Sequence, residues 1–146
     1  MATPGIGTGF LSVDTVAETI DVLETFSGLT SPTTMAHIHI SPLGLNGPIV
    51  LPFVDFPLGV TAGSYSHDFT ASDLPAGFSF TDFVSDLQAN DAYFNIHTEA
   101  YPAGEIRGNI VSTVPLPASA PMFGAALLAF GAVGYGIKRK KVAAAA

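Results

Sequence analysis

Hydrophobic and polar residues alternate along most of this chain with a period of two, which is typical of β-strands that bury one face. Turn residues such as Asn46-Gly47 separate the alternating stretches. The pattern predicts strands at residues 7–14, 19–26, 35–40, 48–53, 64–70, 92–98 and 105–111. Short strands joined by turns predict an all-β protein, an antiparallel Greek-key β-sandwich or barrel.

One segment has a different period. Phe80, Phe83, Val84 and Leu87 are spaced i, i+3, i+4 and i+7, which predicts a short amphipathic helix in a connection between strands. Asn90 and the aspartate after it are expected to end this helix.

Alternation also assigns side chains to the two faces of each strand. In residues 35–40, Ala36 and Ile38 share one face, while His37 and His39 lie on the other. In the last predicted hairpin, the apolar side chains point inward, and the outward set is Tyr93, Asn95, His97, Glu105, Arg107 and Asn109.

The outward histidines are the strongest candidates for chemistry. His37 and His39 are two residues apart, so a strand places them about 6.5–7 Å apart on one face. His97 can join them if the two strands are neighbours or if a loop folds over them. Three imidazoles suit zinc or copper, with water or a carboxylate completing the coordination. The alternative is that all three are hydrogen-bonded structural histidines. His67 shares its face with aromatic residues and is a weaker candidate.

Charge is distributed unevenly along the chain. Before residue 114 there are 12 acidic residues and one arginine, Arg107, a formal balance of −11. Nucleic acid is therefore not an expected partner, because phosphate binding needs clustered cations. Arg107 is expected to form a structural ion pair with Glu105, or alternatively to hold an anion beside the histidines. With 0 Cys, disulfides and thiolate metal sites are excluded.

The C-terminal part has the composition of a membrane segment. Residues 119–137 are predicted to form an uncharged transmembrane helix. The cations that follow it are predicted to stay cytoplasmic within residues 138–146; they are Lys138, Arg139, Lys140 and Lys141. The start of the chain has neither the basic nor the apolar region of a signal peptide, so we expect the N-terminus to be truncated.

The residues before the apolar segment complete a recognisable arrangement: Val114, Pro115, Leu116, Pro117 and Ala118, at 114–118. Together with the apolar segment and the cations, this motif resembles the VPLPA variant of the bacterial PEP-CTERM sorting tails. The resemblance implies export through an inner-membrane intermediate, processing by an exosortase, and delivery to the cell surface or extracellular matrix of a Gram-negative bacterium.

Residues 1–113 are predicted to form one domain, and a second resemblance spans roughly residues 5–111 of it. It rests on Ala36-His37-Ile38-His39, Gly47-Pro48-Ile49-Val50, Asn95-Ile96-His97-Thr98, Tyr101-Pro102 and Gly104-Glu105-Ile106-Arg107-Gly108. These segments resemble the CHRD domain family, which implies a β-sandwich in an extracellular protein and no settled activity.

Three function classes follow from these observations. The first is a non-catalytic surface or matrix protein that binds exopolysaccharide or copies of itself. The second is a copper- or zinc-binding module that uses His37, His39 and His97. The third is a metalloenzyme similar to the copper-zinc superoxide dismutases, in which those histidines and Arg107 would have comparable roles. That similarity lacks a metal-bridging histidine and a disulfide.

Overall fold

The computed structural model describes residues 3–112, and in this range two antiparallel β-sheets form a sandwich. Sheet A has the strand order β1-β2-β5 and sheet B has the order β4-β3-β6-β7. The strands are β1 (Ile6–Asp14), β2 (Thr19–Ser27), β3 (Thr33–Ile40), β4 (Ile49–Pro52), β5 (Gly63–Thr70), β6 (Ala92–Thr98) and β7 (Ile106–Asn109). The sandwich prediction is therefore confirmed, and the finer Greek-key description stays a prediction.

The core lies between the sheets, where the apolar phase of each strand meets that of the opposite sheet. Ile20 and Phe69 of sheet A and Ile38 of sheet B are almost completely buried. Phe53, just after β4, joins the two sides, because its ring centroid is 4.9 Å from that of Tyr65 and 6.3 Å from that of Phe94. The alternation in the sequence thus identified the buried face of these strands correctly.

The predicted helix is present as α1 (Phe80–Ala89) and closes one side of the core with Phe83 and Leu87. Ser79 caps its start: the Ser79 hydroxyl accepts a hydrogen bond from the Asp82 amide, and the Asp82 carboxylate accepts one from the Ser79 amide. Asn90 ends the helix in the left-handed conformation, with φ of 61°.

The predictions for the C-terminal part concern residues that lie outside the described range. These are the sorting motif at 114–118, the transmembrane helix at 119–137 and the basic tail at 138–146. Among residues 3–112, no helix is both long enough and apolar enough to cross a bilayer.

Candidate metal centre

Three histidines converge on the outer face of sheet B. β3 and β6 are antiparallel neighbours, with His37 opposite Asn95 and His39 opposite Tyr93. His97 is therefore diagonal to His37, a separation that long side chains can bridge across a pair of strands. The His37 ring centroid lies 4.7 Å from that of His39 and 4.5 Å from that of His97. The sequence predicts that His97 can join His37 and His39 if their strands are neighbours, and the pairing of β3 with β6 meets this condition.

A β-bulge lies beside this pair of strands. The register between β3 and β4 shifts between Ile38 and His39, so that His39 pairs with Ile49 instead of Val50. A bulge changes the direction in which nearby side chains point and is common next to functional sites.

Two loops cover the histidines. The alternation predicted that the outward face of β6 is exposed, but these loops bury it. His37, His39 and His97 are 3%, 9% and 7% exposed. The loop between β3 and β4 places the Gly47 carbonyl 2.8 Å from His39 Nδ1, and the loop between β6 and β7 places the Pro102 carbonyl 2.8 Å from His97 Nδ1.

These carbonyl contacts fix the protonation of two imidazoles. Because a carbonyl oxygen only accepts, Nδ1 of His39 and of His97 must carry the proton, and in the neutral ring Nε2 keeps its lone pair. An imidazole whose other nitrogen donates to a backbone carbonyl is the usual state of a metal-bound histidine. The loops therefore orient both rings as a metal site requires.

The third histidine has no such partner. Both ring nitrogens of His37, together with Nε2 of His39, are buried without a hydrogen-bond partner among residues 3–112. Buried polar atoms are rarely left unpaired, because each one costs about 1–3 kcal/mol. Unpaired imidazole nitrogens at one place therefore need an explanation. An ion that accepts one lone pair from His37 and one from His39 Nε2 accounts for two of the three atoms, and the remaining His37 nitrogen carries the ring proton.

The charge state of His37 suits a ligand. Burial lowers the pKa of His37 to about 4, and the nearby His97 and His39 rings act in the same direction. The ring is therefore neutral at ordinary pH and offers a lone pair without first losing a proton.

The spacing of the three rings is close to that of a metal site. One ring nitrogen from each histidine lies within 4.8 Å of the other two. In a tetrahedral zinc site with bonds of about 2.0–2.1 Å, the nitrogens are about 3.3 Å apart. The three rings would therefore have to move closer together, by up to about 1.5 Å, to coordinate one ion.

Asn95, which the alternation placed on the same face as His97, was not predicted to be a site residue. It is 8% exposed, and its Nδ2 lies 3.1 Å from His97 Nε2. The amide donates there to the lone pair that a metal ion would use. A side chain on Gly104 would collide with the Asn95 amide, so the glycine allows this close packing. The signal in the sequence was a polar residue in phase with His97.

Arg107 stacks on an aromatic ring beside the histidines. Its Cζ lies 3.4 Å from the centre of the Tyr93 ring, and Tyr93 stacks on His39 with centroids 4.8 Å apart. Arg107 Nη1 also donates to the Leu45 carbonyl at 2.8 Å, within the loop that covers His39. Arg107 therefore holds this loop against sheet B.

The expected ion pair between Glu105 and Arg107 is not the arrangement found. Glu105 is 8% exposed and accepts hydrogen bonds from Thr3 Oγ1 at 2.5 Å, Thr30 N at 2.6 Å and Thr98 Oγ1 at 2.7 Å. It precedes β7 and binds three separate segments of the chain, while Arg107 turns towards Tyr93. The predicted ion pair is not formed because the fold brings the hydrogen-bond donors of Thr3, Thr30 and Thr98 to the Glu105 carboxylate.

The electrostatics of Glu105 reflect these donors. Burial on its own would raise the pKa of Glu105, but the hydrogen bonds from Thr3, Thr30 and Thr98 outweigh it and lower the pKa to about 2. Glu105 is consequently a structural carboxylate, distant in role from the histidines.

His67 lies apart from the cluster. It belongs to β5 of sheet A, where its ring packs between Tyr65 and Phe69 at centroid distances of 6.0 and 4.6 Å. The weaker rank that the sequence gave to His67 agrees with this position.

Comparison with known protein families gives a match for this chain. The family model described as the CHRD domain matches residues 1–110. The chain belongs to the CHRD domain family. The match includes both sheets, α1 and all three clustered histidines of this CHRD domain. No curated protein and no solved structure matches the chain significantly.

Proposed function

We propose that this CHRD domain is a non-catalytic metal-binding module that holds one zinc or copper ion through His37, His39 and His97. The observation that carries the proposal is the group of three buried imidazole nitrogens without partners, on His37 and His39. The carbonyl contacts of His39 and His97 support it, because they put the proton on Nδ1 and leave the lone pair on Nε2. On His97 a metal ion would have to replace the hydrogen bond from Asn95 Nδ2.

The ligand set favours these two metals. Neutral imidazole nitrogen suits zinc and copper, whereas calcium and magnesium prefer oxygen. Three histidines leave a fourth position for water or for a group from a partner. With the site covered by two loops, the metal would serve to hold β3, β6 and those loops together or to bind a partner group.

The test is metal analysis of the purified full-length chain after incubation with excess zinc or copper and removal of free metal. We expect about one ion per chain, and less than about one tenth of that in His37→Ala. His97→Ala should lose the ion as well. The reason is that two imidazoles bind far more weakly than three in a fixed geometry.

His67→Ala is the matched control, because it removes a histidine from sheet A and leaves the cluster intact. It should keep one ion per chain. Circular dichroism would establish that each variant is folded. The proposal fails if the folded wild-type chain takes up neither metal, or if His67→Ala loses as much metal as His37→Ala.

We further propose that the protein is exported and that an exosortase removes its C-terminal tail. Support comes from the order of the motif at 114–118, the apolar segment and the cations, and from membership of a family that is consistent with extracellular domains. Mass spectrometry of the mature protein from its native host should find no peptide containing Lys138–Lys141. Surface protein that retains those lysines would refute the processing.

A further inference from the structure

A carboxyl group lies inside the core on the side remote from the histidines. Along β2 the inward positions are Ile20, Val22, Glu24 and Phe26, so a glutamate occupies an apolar position in the alternation. Glu24 is 3% exposed. Its Oε2 is buried with no hydrogen-bond partner among residues 3–112. A buried acid without a partner is unfavourable in its charged form, so its presence calls for a ligand or a role.

Glu24 lines a cavity of about 70 Å³ between the two sheets, at the edge formed by β1 and β7. Two glycines of β1 line this cavity and let the Phe94 ring pack close to the strand. Gly7 and Gly9 of β1 point inward, and a Cβ on Gly9 would lie 2.6 Å from the Phe94 ring. The remaining walls are mainly apolar, with Phe94, Ile96 and Ile106 opposite the carboxylate.

The dimensions of this partly open cavity suit a ligand of a few heavy atoms. A water molecule occupies about 30 Å³ in the liquid, and a dry cavity of about 150 Å³ holds benzene. A ligand of about three heavy atoms therefore fits the volume beside Glu24. The ligand must donate a hydrogen bond to one oxygen of the Glu24 carboxylate, and the rest of it must be apolar.

We propose that this cavity binds a small primary alkylammonium ion, with the ammonium group donating to the Glu24 carboxylate and the short alkyl chain packed against Phe94, Ile96 and Ile106. The ammonium group is a compact cation with three donors, so it neutralises the buried charge and pairs Oε2. The strongly acidic domain also raises the local concentration of cations. This site is separate from the histidine centre and does not depend on it.

The ionisation of Glu24 gives the site a defined pH range. Burial raises the pKa of Glu24 to about 7. The folded protein therefore carries the carboxylate above that pH and a neutral acid below it. The other titratable or charged groups near it are Tyr65 and His67 on β5 and Arg107 at the rim on β7. Tyr65 stays neutral over this range, because burial raises its pKa further.

The experiment is thermal unfolding of the full-length chain at pH 8.5 with ethylammonium chloride as the probe and equal sodium chloride as the ionic control. At ethylammonium concentrations about ten times the dissociation constant, we expect Tm to rise by about 5 °C. Tetramethylammonium, which has no N–H donor, and ethanol, which has no charge, should give no rise. At pH 5 ethylammonium should also have no effect.

Glu24→Gln is the matched variant, because it keeps the size of the side chain and removes the charge. It should abolish the ethylammonium effect at pH 8.5, which would assign the effect to the Glu24 carboxylate. If this variant does not fold, the ¹³C resonance of the wild-type Glu24 carboxyl gives the answer, since bound ethylammonium should lower its titration midpoint. An unchanged midpoint, no rise in Tm, or an equal rise in folded Glu24→Gln would overturn the proposal.

Discussion

Replacing Glu105 by glutamine should destabilise the sandwich, although the change keeps the size of the side chain. Glu105 Oε1 accepts hydrogen bonds from Thr3 Oγ1 and from the Thr30 amide, and Oε2 accepts one from Thr98 Oγ1. Through them the start of β7 is bound to the N-terminal segment, to the connection after β2 and to the end of β6. In Glu105→Gln, the charge is lost and an NH₂ group replaces one acceptor.

The magnitude follows from the number and type of these bonds. A hydrogen bond to a charged group contributes about 1.5–3 kcal/mol, and a neutral one about 0.5–1.5 kcal/mol. Three bonds that each weaken by about 1 kcal/mol amount to about 3 kcal/mol in the free energy of unfolding. Burying a neutral amide costs less free energy than burying a carboxylate, and this difference offsets about 1 kcal/mol of the loss. We therefore expect a net loss of about 2 kcal/mol at pH 7.

The effect should depend on pH with a definite sign. The pKa of Glu105 is about 2 in the folded protein, below its ordinary value of 4.5. The carboxylate therefore stabilises the folded state fully above pH 4.5, and this contribution is lost as the pH falls towards 2. Glutamine does not titrate, so the difference between wild type and variant should shrink over the same range.

Urea denaturation at a series of pH values between 7 and 2 measures this difference. Glu99→Gln is the control, because Glu99 is an exposed carboxylate just beyond β6. It should change the free energy of unfolding by less than about 0.5 kcal/mol. The reasoning is wrong if Glu105→Gln is as stable as the wild type at pH 7, or if its deficit stays constant down to pH 2.

Other predictions concern the core, the loop over the histidines and the helix cap. Phe69→Ala should lower the free energy of unfolding by about 3–5 kcal/mol in urea denaturation, because Phe69 is 1% exposed; a loss below about 1.5 kcal/mol would contradict its place in the core. Gly47→Ala should weaken zinc binding at least about tenfold in a calorimetric titration, since its methyl group would collide with neighbouring backbone and displace a histidine-bound carbonyl. Gly108→Ala should bind zinc normally, because a Cβ at this position meets open space. Equal zinc affinities of Gly47→Ala and Gly108→Ala would contradict the role of the Gly47 loop in orienting His39. Ser79→Ala should cost about 1 kcal/mol in thermal unfolding, whereas Ser85→Ala within α1 should cost little; equal effects would refute the cap.

Local patterns predicted most elements of the fold. Alternation located the strands and assigned Ile38, Phe94 and Ile96 to the buried face, because a strand with one face in the core must repeat every two residues. The i, i+3, i+4 spacing located α1 in the same way. Both patterns depend only on residues that are close along the chain, so they can be recognised without knowing which strands are neighbours.

Interactions between distant segments were less predictable. The sequence paired Glu105 with Arg107 because they are two residues apart, but the fold brings Thr3 and Thr30 to the carboxylate. Glu24 was overlooked, although its place in the apolar phase of β2 was a signal that could have identified it.

The sequence by itself determined the period of each element, the acidic balance, the absence of thiol chemistry and the H-x-H pair on one strand face. Only the tertiary structure decided that β3 and β6 are neighbours, which brings His97 to His37 and His39. It also decided that Gly47 and Pro102 orient two of the rings and that the whole cluster is buried. The physical reason is that a strand's period fixes only which side a residue faces. The partner strand and the loops that fold over it depend on packing throughout the domain.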